Sequence, residues 1–392
     1  MNNDSIVMLD GAHRLIGSFG WVFKDVPAFE LGATAAIEAL SRVNVDSADI
    51  REVVIGCIGQ VGADAYNARR VAVRAGLSTS VPAYTVNRLC GSGLQAVWSA
   101  AMEMRWNDLD FVLAGGDESM TRMPFYDFGA RSGYKLGNRA LVDGTVMMLT
   151  DPFHDIHMGV TAEKVAVKYG ISRQEQDEFA AESQRRAATP EARAAFADEI
   201  VAVEVGGRRP FTADTDEHPK PGTTVEALAA LRPAFSKDGT VTAGNASGIN
   251  DGAAVLVLAR KKAAAAQGLT GLVSLEAVTT AAMEPELMGY APTLALESLF
   301  TQTTMSPSDI GIIELNEAFA SQAVAVIRDA GLDLASVNPY GGAIALGHPV
   351  GATGANLTLR VAKDMVRRDL EFGIVTMCIG GSQAMAALFR RV

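Results

Sequence analysis

Residues 90–116 read CGSGLQAVWSAAMEMRWNDLDFVLAGG, the order of a glycine-rich turn, a helix, a short loop, an apolar strand and a double glycine. Leu94, Val97 and Trp98 follow the i, i+3, i+4 spacing of a buried helix face. Residues 348–381, HPVGATGANLTLRVAKDMVRRDLEFGIVTMCIGG, repeat this order with a somewhat longer connection. Both strands are continuous apolar runs, as expected when helices cover both faces of a sheet.

A second pair of similar segments lies upstream of the first pair. Residues 35–56 read AAIEALSRVNVDSADIREVVIG, and residues 294–315 read LALESLFTQTTMSPSDIGIIEL. Each predicts an amphipathic helix, a polar connection, and an acidic turn that leads into a β-branched strand. Because both repeats occur in the same order, we expect two similar α/β halves packed with pseudo-twofold symmetry.

The region between the repeats, 120–245, has a different composition that is richer in charge, proline and arginine. Its segment 172–189, SRQEQDEFAAESQRRAAT, predicts a helix with Ser172 as the N-cap and Glu175 completing a capping box. We interpret this region as a long excursion over one surface that shapes a ligand site. A peripheral dimerisation arm is the alternative interpretation.

The composition is that of a globular chain of 392 residues with a net charge of -11. This charge argues against general binding to nucleic acids or membrane surfaces, and no apolar run approaches the length of about 18 residues that spans a bilayer. The three cysteines are far apart and form no CxxC motif. With no secretory leader visible, we expect a cytoplasmic protein without a disulfide framework or zinc site.

Cys90 lies between an apolar strand-like run and a helix start flanked by glycines. One interpretation is a small core residue at a tight turn. The other is a nucleophile, because the unpaired N–H groups and partial positive charge of a helix N-terminus lower the pKa of a thiol. Gly91 and Gly93 would leave room for a substrate carbonyl, and the Cys90 N–H could donate to an oxyanion.

A second candidate, His348, is followed by proline and flanked by glycines, which predicts a loop position. Its imidazole could activate a thiol or hold an oxyanion, and a structural histidine is the alternative. Cys378 ends an apolar strand just before Gly380 and Gly381. It is either another small core residue or a thiol that carries protons to and from a substrate carbon.

The polar pair Asn316–Glu317 follows the apolar strand 310–315 and is predicted to open a new helix. Asn316 could orient a water molecule, and Glu317 could help to hold the histidine. A plain helix N-cap is the alternative role for Asn316, and it is compatible with the first.

Taken together, five segments resemble the thiolases, the acyl-CoA C-acetyltransferases: NRLCGSG (87–93), NASGINDGAA (245–254), NEAFA (316–320), GGAIALGHPVGATGA (341–355) and CIGG (378–381). The resemblance extends from about Leu9 to Val392. It implies duplicated α/β halves in a five-layer αβαβα arrangement with a large inserted loop domain. We expect an N-terminal half of residues 1–119 plus 246–268, a loop domain of 120–245 over the coenzyme A and acyl site, and a C-terminal half of 269–392.

The resemblance also implies a mechanism with an acyl-cysteine intermediate. Cys90 would be the nucleophile, His348 its base, and Cys378 the proton donor and acceptor at the substrate carbon. His348 and a water molecule held by Asn316 would form one oxyanion hole. The N–H groups of Cys90 and Gly380 would form the other. The expected reaction is reversible thiolytic cleavage of short-chain 3-ketoacyl-CoA, or Claisen condensation of acetyl-CoA to acetoacetyl-CoA.

Further residues are expected to bind coenzyme A as a substrate, with no tightly bound cofactor and no metal. By family position these are Ser247 on the pantetheine arm, Lys220 near the nucleotide, and Phe235, Ala243, Met288, Ala318 and Phe319 along the arm, with His157 and Met158 closing on the acyl end. Arg208, Arg209, Arg232 and Lys237 add a local positive charge, and a solvated surface charge is the alternative for each basic residue. The family implies a homo-oligomer, either a dimer or a tetramer.

Three departures from the family pattern concern the acyl pocket. Tyr290 follows Met-Gly where smaller residues are common, and Ser382 replaces a frequent third glycine. Tyr290 could narrow the pocket or point away from it. Segment 131–155 also differs from typical acetoacetyl-CoA enzymes. These departures keep open a broader-chain 3-ketoacyl-CoA thiolase of fatty-acid or side-chain degradation, and the sequence fixes neither the acyl chain nor the direction of the reaction.

Three other functions are less well supported by the residues. A decarboxylating ketoacyl synthase would use one cysteine with two histidines, and no second suitable histidine accompanies Cys378. A catalytically silent acyl-CoA or lipid-binding relative does not need intact Cys90, His348 and Cys378. A papain-like hydrolase explains neither the duplicated halves nor the second cysteine.

Overall fold

The computed structural model describes residues 5–205 and 211–392. Its helices are α1 (Ala28–Val43), α2 (Asn67–Arg74), α3 (Ser92–Trp106), α4 (Gly144–Met148), α5 (Met158–Tyr169), α6 (Arg173–Ala187), α7 (Pro190–Glu199), α8 (Val225–Ala229), α9 (Lys261–Ala266), α10 (Pro292–Thr303), α11 (Ala320–Asp329), α12 (Ala343–Leu346) and α13 (Thr353–Arg367).

The longer strands build the sheets of the two halves, and the shorter ones pair in or near the excursion. They are β1 (Ile6–Arg14), β2 (Gly17–Ser18), β3 (Ile50–Gly56), β4 (Ala83–Val86), β5 (Phe111–Ser119), β6 (Phe125–Tyr126), β7 (Val142–Asp143), β8 (Thr150–Asp151), β9 (Ile156–His157), β10 (Ile200–Val201), β11 (Val203–Val205), β12 (Phe211–Ala213), β13 (Asn250–Arg260), β14 (Val273–Ala282), β15 (Ile312–Leu315), β16 (Phe372–Ile379) and β17 (Gln383–Arg391).

The two halves have the same strand arrangement. The first half has the order β4-β3-β5-β13-β1 and the second the order β15-β16-β17-β14, and β1 pairs with both β13 and β14. In the first half β3 pairs in parallel with β5, and β5 pairs antiparallel with β13. In the second half β15 pairs in parallel with β16, and β16 pairs antiparallel with β17. The predicted duplication is therefore confirmed by the topology.

The acidic turns of the repeats also occupy equivalent places. A 3-10 turn, Ser47–Asp49, leads into β3, with the Asp46 side chain accepting a hydrogen bond from the Ala48 N–H. The corresponding turn, Pro307–Asp309, is stabilised by a capping box between Ser306 and Asp309 and leads towards β15. Side-chain caps of this kind satisfy the free N–H groups of a helical turn, which explains why both copies contain serine and aspartate.

The core consists of three apolar clusters that lie between five layers. Alternate side chains of a strand point to opposite faces, so Val53 and Ile55 pack under α1 and α2 whereas Val54 faces α3. The middle cluster joins α3 and α13 with one face of each sheet, and a third cluster lies between the second sheet and α10 and α11. This is the expected αβαβα order.

The central helices α3 and α13 cross at two glycines. A Cβ atom added to Gly354 would lie 2.2 Å from the Leu94 nitrogen, and one added to Gly93 would lie 2.7 Å from the Ala355 nitrogen. Both contacts are with backbone, which cannot move aside as a side chain can. The close approach brings the N-terminal ends of the two helices together.

The excursion 120–245 crosses the first half and is fastened to it by side chains. Asp216 accepts a hydrogen bond from the Ile16 N–H at 2.6 Å, and Glu217 accepts one from the Ser18 N–H at 2.9 Å.

The helix predicted at 172–189 is α6, and the capping box of Ser172 and Glu175 is present. Residues 133–141 are all exposed, so this part of the excursion contributes little to the core.

We predict that Gly354→Ala destabilises the protein. Alanine normally stabilises a helix by about 1 kcal/mol relative to glycine, but here the added methyl group collides with the backbone of α3, and overpacking costs about 1–3 kcal/mol. Thermal unfolding should show a lower midpoint. Gly311→Ala is the control, since its added Cβ meets only the Leu370 side chain, at 3.0 Å. An unchanged midpoint for Gly354→Ala would contradict the tight crossing.

Candidate active site

Loops and strand ends from both halves meet at one cavity of about 310 Å³. Cys90 precedes α3, His348 precedes α13, Cys378 lies in β16, and Gly380 follows that strand; all four line the cavity. Three segments far apart in sequence are therefore brought to one space, and the crossing of the central helices brings the first two together.

The turn that carries Cys90 is held by Ser92. The Ser92 hydroxyl donates to the Leu89 carbonyl at 2.6 Å and accepts from the Arg88 N–H at 2.9 Å. Leu89 adopts a φ of 48°, a left-handed conformation that is unfavourable for a residue with a side chain. The α-helix begins at Ser92 with Gly91 as N-cap, so Cys90 lies one residue outside the helix.

The electrostatics of Cys90 differ from the expectation drawn from the sequence. Burial raises the pKa of the Cys90 thiol to about 11, although the N–H groups of Gly380 and of Cys90 itself lower it. The predicted net lowering by the helix N-terminus is therefore wrong, because removal from water outweighs the N–H donors. The thiol is neutral near pH 7 and needs a base before it can attack.

His348 is buried and its ring is oriented by Thr353. Nδ1 lies 2.7 Å from the Thr353 hydroxyl, which is itself 3.0 Å from the Pro349 carbonyl. Since a hydroxyl has one hydrogen, and that hydrogen goes to the carbonyl, the Thr353 oxygen accepts the Nδ1–H. Nε2 is then the free acceptor, and it is directed to Asn316, whose Nδ2 lies 3.4 Å away.

Burial also lowers the pKa of His348 to about 4. The imidazole is therefore neutral above that pH and can take a proton on Nε2. Its backbone N–H donates to the Asn250 side chain at 2.9 Å, which fixes the loop against β13. The neutral imidazole and the neutral thiol of Cys90 line the same cavity, and neither group is charged near pH 7.

Asn316 does not line the cavity itself but contacts His348, which does. It is 1 % exposed, and its Oδ1 atom has no hydrogen-bond partner among the described residues. A buried unpaired carbonyl is costly, so a bound water molecule or ligand is the expected partner. The helix after this segment begins at Ala320 with Phe319 as N-cap, so the alternative of an N-capping Asn316 is wrong.

Glu317 does not contact the histidine, contrary to the sequence-based expectation. Its carboxylate accepts hydrogen bonds from the Ser183 hydroxyl at 2.7 Å, the Asn338 amide at 2.7 Å and the Ile344 N–H at 3.2 Å. It thus joins α6 of the excursion to the loop that precedes α12. Sequence reasoning missed Thr353 as the residue that orients His348, although it lies five positions after the histidine.

Cys378 is fully buried, and burial and the neighbouring Cys90 both raise the pKa of its thiol far above the ordinary value. A thiol in this environment keeps its proton at neutral pH and can deliver it to a strong base such as a carbanion. Cys90 and Cys378 line the same cavity. The cysteine pair is therefore suited to nucleophilic attack by one thiol and proton transfer by the other.

The rest of the cavity wall is apolar and aromatic. The His157 ring stacks on Phe235 with centroids 4.8 Å apart, and Phe235 meets Phe319 edge to face at 6.1 Å. Eight residues predicted to bind coenzyme A line this cavity: His157, Met158, Phe235, Ala243, Ser247, Met288, Ala318 and Phe319. The Ser247 N–H donates to the Ala318 carbonyl at 3.0 Å, which joins the two segments that form one wall.

The predicted basic contacts lie outside the cavity. Lys220 is exposed, and its backbone N–H donates to the Gln184 side chain at 2.8 Å. Arg232 and Lys237 are exposed as well. Arg208 and Arg209 lie outside the described residues. The structure therefore leaves Lys220 near the excursion surface and does not bring it to the reacting groups.

The two unusual residues noted in the sequence do not enter the cavity. Tyr290 stacks on Tyr169 with centroids 3.7 Å apart and donates to Asp329 at 3.0 Å, so it points away. Ser382 is buried with a φ of 56°. Ile58, Met148 and Leu149 line the cavity without having been predicted, because no motif marks them in the sequence, and Val350 lines it from within the segment 341–355.

Comparisons with known proteins agree with this geometry. Residues 6–262 match the family described as "Thiolase, N-terminal domain", and residues 269–391 match "Thiolase, C-terminal domain". The chain belongs to the thiolase family. The predicted family, the duplicated α/β fold and the acyltransferase class of enzyme are thereby confirmed.

Individual relatives of this thiolase cover its whole length. "Beta-ketothiolase BktB" of Cupriavidus necator is 46% identical over 390 residues, 99% of each chain. The Bacillus anthracis acetyl-CoA acetyltransferase structure superimposes with a TM-score of 0.97 at 38% identity, covering 99% of each chain. Human mitochondrial 3-ketoacyl-CoA thiolase in complex with CoA gives a TM-score of 0.96 at 37% identity, covering 100% of this chain and 98% of that one.

No helix within 5–205 and 211–392 is long and apolar enough to cross a membrane. Over the same residues no group of three or more His, Cys, Asp and Glu side chains is arranged to hold a metal ion.

We predict that Thr353→Val lowers the turnover number by at least about tenfold, because a misoriented catalytic group is costly. Valine keeps the shape of threonine but cannot accept the Nδ1–H of His348, so the ring loses its fixed tautomer. Thr358→Val is the matched control, since this buried hydroxyl on the same helix donates to Gly354 at 2.8 Å. Steady-state kinetics of both variants would test this; equal turnover numbers would contradict the role of Thr353.

Proposed function

We propose that this thiolase catalyses the reversible thiolytic cleavage of short-chain 3-ketoacyl-CoA and the condensation of acetyl-CoA to acetoacetyl-CoA. The observation that carries the proposal is the meeting of Cys90, His348 and Cys378 at one apolar cavity. The names of the relatives, which include an acetyl-CoA acetyltransferase and a beta-ketothiolase, support it. The alternative, a broader-chain degradative thiolase, has less support among them.

The first step in the cleavage direction is attack on the 3-keto carbon. His348 Nε2 takes the proton of the Cys90 thiol, and the thiolate adds to the carbonyl. The oxygen becomes an anion beside the N–H groups of Cys90 and Gly380, which already act on the sulfur. One donor of such an oxyanion hole contributes about 3–4 kcal/mol to the barrier reduction.

The second step breaks the bond between C2 and C3. The electron pair moves to the acetyl-CoA fragment as an enolate, while the acyl group stays on Cys90 as a thioester. The protonated His348 and a water molecule on the free Oδ1 of Asn316 would stabilise the enolate oxygen. The Cys378 thiol then gives its proton to C2, which completes acetyl-CoA.

The third step transfers the acyl group to coenzyme A. The coenzyme A thiol adds to the thioester of Cys90, its proton restores the Cys378 thiol, and Cys90 leaves and takes back the proton held by His348. Atoms and charges balance over the cycle, and no electron is gained or lost. Condensation is the same sequence in reverse, with Cys378 removing a proton from C2 of acetyl-CoA.

We infer that coenzyme A binds as a substrate along the aromatic wall, with Ser247 and Phe235 at the pantetheine arm and Lys220 towards the nucleotide. The relative solved in complex with CoA supports this substrate class. We also propose the division into 1–119 plus 246–268, 120–245 and 269–392. A cytoplasmic homo-oligomer, dimeric or tetrameric, acting in fatty acid metabolism completes the proposal.

The roles of the two cysteines predict different defects. Cys90→Ala should abolish labelling by radioactive acetyl-CoA, because the thioester cannot form. Cys378→Ala should still be acetylated but should form no acetoacetyl-CoA, because nothing removes the proton from C2. Mass spectrometry of the acyl-enzyme together with a condensation assay measures both steps. Normal condensation by Cys378→Ala would show that its assigned role is wrong.

The short-chain assignment is tested by initial rates on 3-ketoacyl-CoA substrates of increasing length. We expect kcat/KM to be highest for acetoacetyl-CoA and to fall with each added pair of carbons, because a cavity of about 310 Å³ must also admit the pantetheine arm. A constant value up to about eight carbons would favour the broader-chain alternative, since a methylene in a fitted pocket changes the binding energy by about 1–3 kcal/mol.

A further inference from the structure

Glu118 is a buried carboxylate near the end of β5 that the mechanism above does not use. One of its oxygens accepts the N–H of Gly59 at 3.0 Å. The other accepts the N–H of Ile58 at 3.0 Å and that of Gly351 at 3.1 Å. The Cys57 sulfur also lies 3.8 Å from the first oxygen. The side chain is therefore held by donors from two separate loops.

These two loops lie side by side, and both reach the cavity. Ile58 and Gly59 follow β3, and Ile58 lines the cavity. Gly351 lies between His348 and the start of α13, and its neighbour Val350 also lines the cavity. One carboxylate thus fixes the loop that carries His348 to the adjacent loop after β3.

The packing around Glu118 leaves the histidine loop little freedom. A Cβ atom added to Gly351 would lie 2.6 Å from the Asp117 carbonyl oxygen and 2.6 Å from a Glu118 carboxylate oxygen. One added to Gly116 would lie 2.1 Å from the Gly351 carbonyl oxygen. The end of β5 and the loop therefore touch backbone to backbone, and any shift of Glu118 must be transmitted to the loop.

The internal duplication gives this contact a counterpart. Helix α3 starts at Ser92 and α13 at Thr353, so Gly351 stands in the second half where Cys90 stands in the first. The Cys90 N–H acts on its own sulfur, whereas the Gly351 N–H donates to the Glu118 side chain. The equivalent helix start thus lies beside a thiol in one half and beside an internal carboxyl group in the other.

We propose that Glu118 is a positioning residue for thiolysis: its carboxylate holds the loop that carries His348, so that the imidazole stays at the cavity that Cys90 also lines. The inference rests on the proposed function, because it concerns the same base and nucleophile. Glu118 touches neither substrate nor reacting atoms; it acts through backbone N–H groups of the two loops, and its charge also raises the pKa of the Cys90 thiol.

The test is Glu118→Gln. The amide keeps the size of the side chain, but its NH₂ group must face at least one of the three N–H donors, which it cannot accept. We expect kcat to fall at least about tenfold, with the KM values for coenzyme A and acetoacetyl-CoA within about twofold of the parent, because ground-state binding is not affected.

Asp117→Asn is the matched control. Asp117 is the adjacent buried carboxylate of the same strand, but it points to the other face of the sheet, where it accepts a hydrogen bond from Asn67 at 2.6 Å under Gly32. We expect this variant to lower the thermal midpoint to a similar degree while keeping kcat near the parent value. If both variants lost kcat equally, Glu118 would contribute only to the stability of the fold, and the proposal would be overturned. A kcat of Glu118→Gln equal to that of the parent would overturn it as well.

A second readout separates this proposal from the function itself. Formation of the acetyl-thioester on Cys90 in a single turnover with acetyl-CoA needs His348 as base but neither Cys378 nor a second substrate, and we expect Glu118→Gln to slow it because the His348 loop is displaced. Parent protein that is never acetylated at Cys90 would refute the proposed function, whereas equal acetylation rates in the parent and in Glu118→Gln would refute the role of Glu118. If Glu118→Gln does not fold, Glu118→Asp, which withdraws the carboxylate by one methylene, should show the same loss of kcat, and a parent-like kcat would refute the role.

Discussion

The close crossing of α3 and α13 at Gly93 and Gly354 is the contact on which the active site depends. Each catalytic loop immediately precedes one of these helices, so the distance between the helix starts sets the distance between Cys90 and His348. A methyl group at Gly354 would overlap the backbone of α3, at 2.2 Å from a nitrogen atom. The glycines of the motifs therefore serve helix packing as much as they give substrate access.

Burial has opposite effects on the two reacting groups, and together these keep the site uncharged at rest. It raises the pKa of Cys90 to about 11 and lowers that of His348 to about 4. Proton transfer between them would create an ion pair in a site removed from water, so little free thiolate is present at rest.

Much of the site could be predicted from the sequence because the functional groups lie in short motifs at strand and helix ends. Cys90, His348, Cys378 and Gly380 line one cavity, as do most of the predicted pantetheine contacts. The role of Glu317 was predicted wrongly because its place in the segment 316–320 does not reveal which distant side chains it contacts. It bonds Ser183 and Asn338, and the histidine is held by Thr353 instead. Long-range partners of buried polar groups are decided by packing, which local patterns do not record.

The sequence alone determined the duplication, the covered sheets and the residue types of the chemistry, since hydrophobic periodicity and turn residues are local properties. The tertiary structure decided the protonation states and the supporting contacts. The helix N-terminus predicted an acidic Cys90, but burial within the assembled layers reversed the shift. Tyr290 lies outside the cavity because it stacks on Tyr169, which belongs to a helix 121 positions earlier in the chain. Such effects depend on which distant segments remove a group from water, and only the folded chain fixes that.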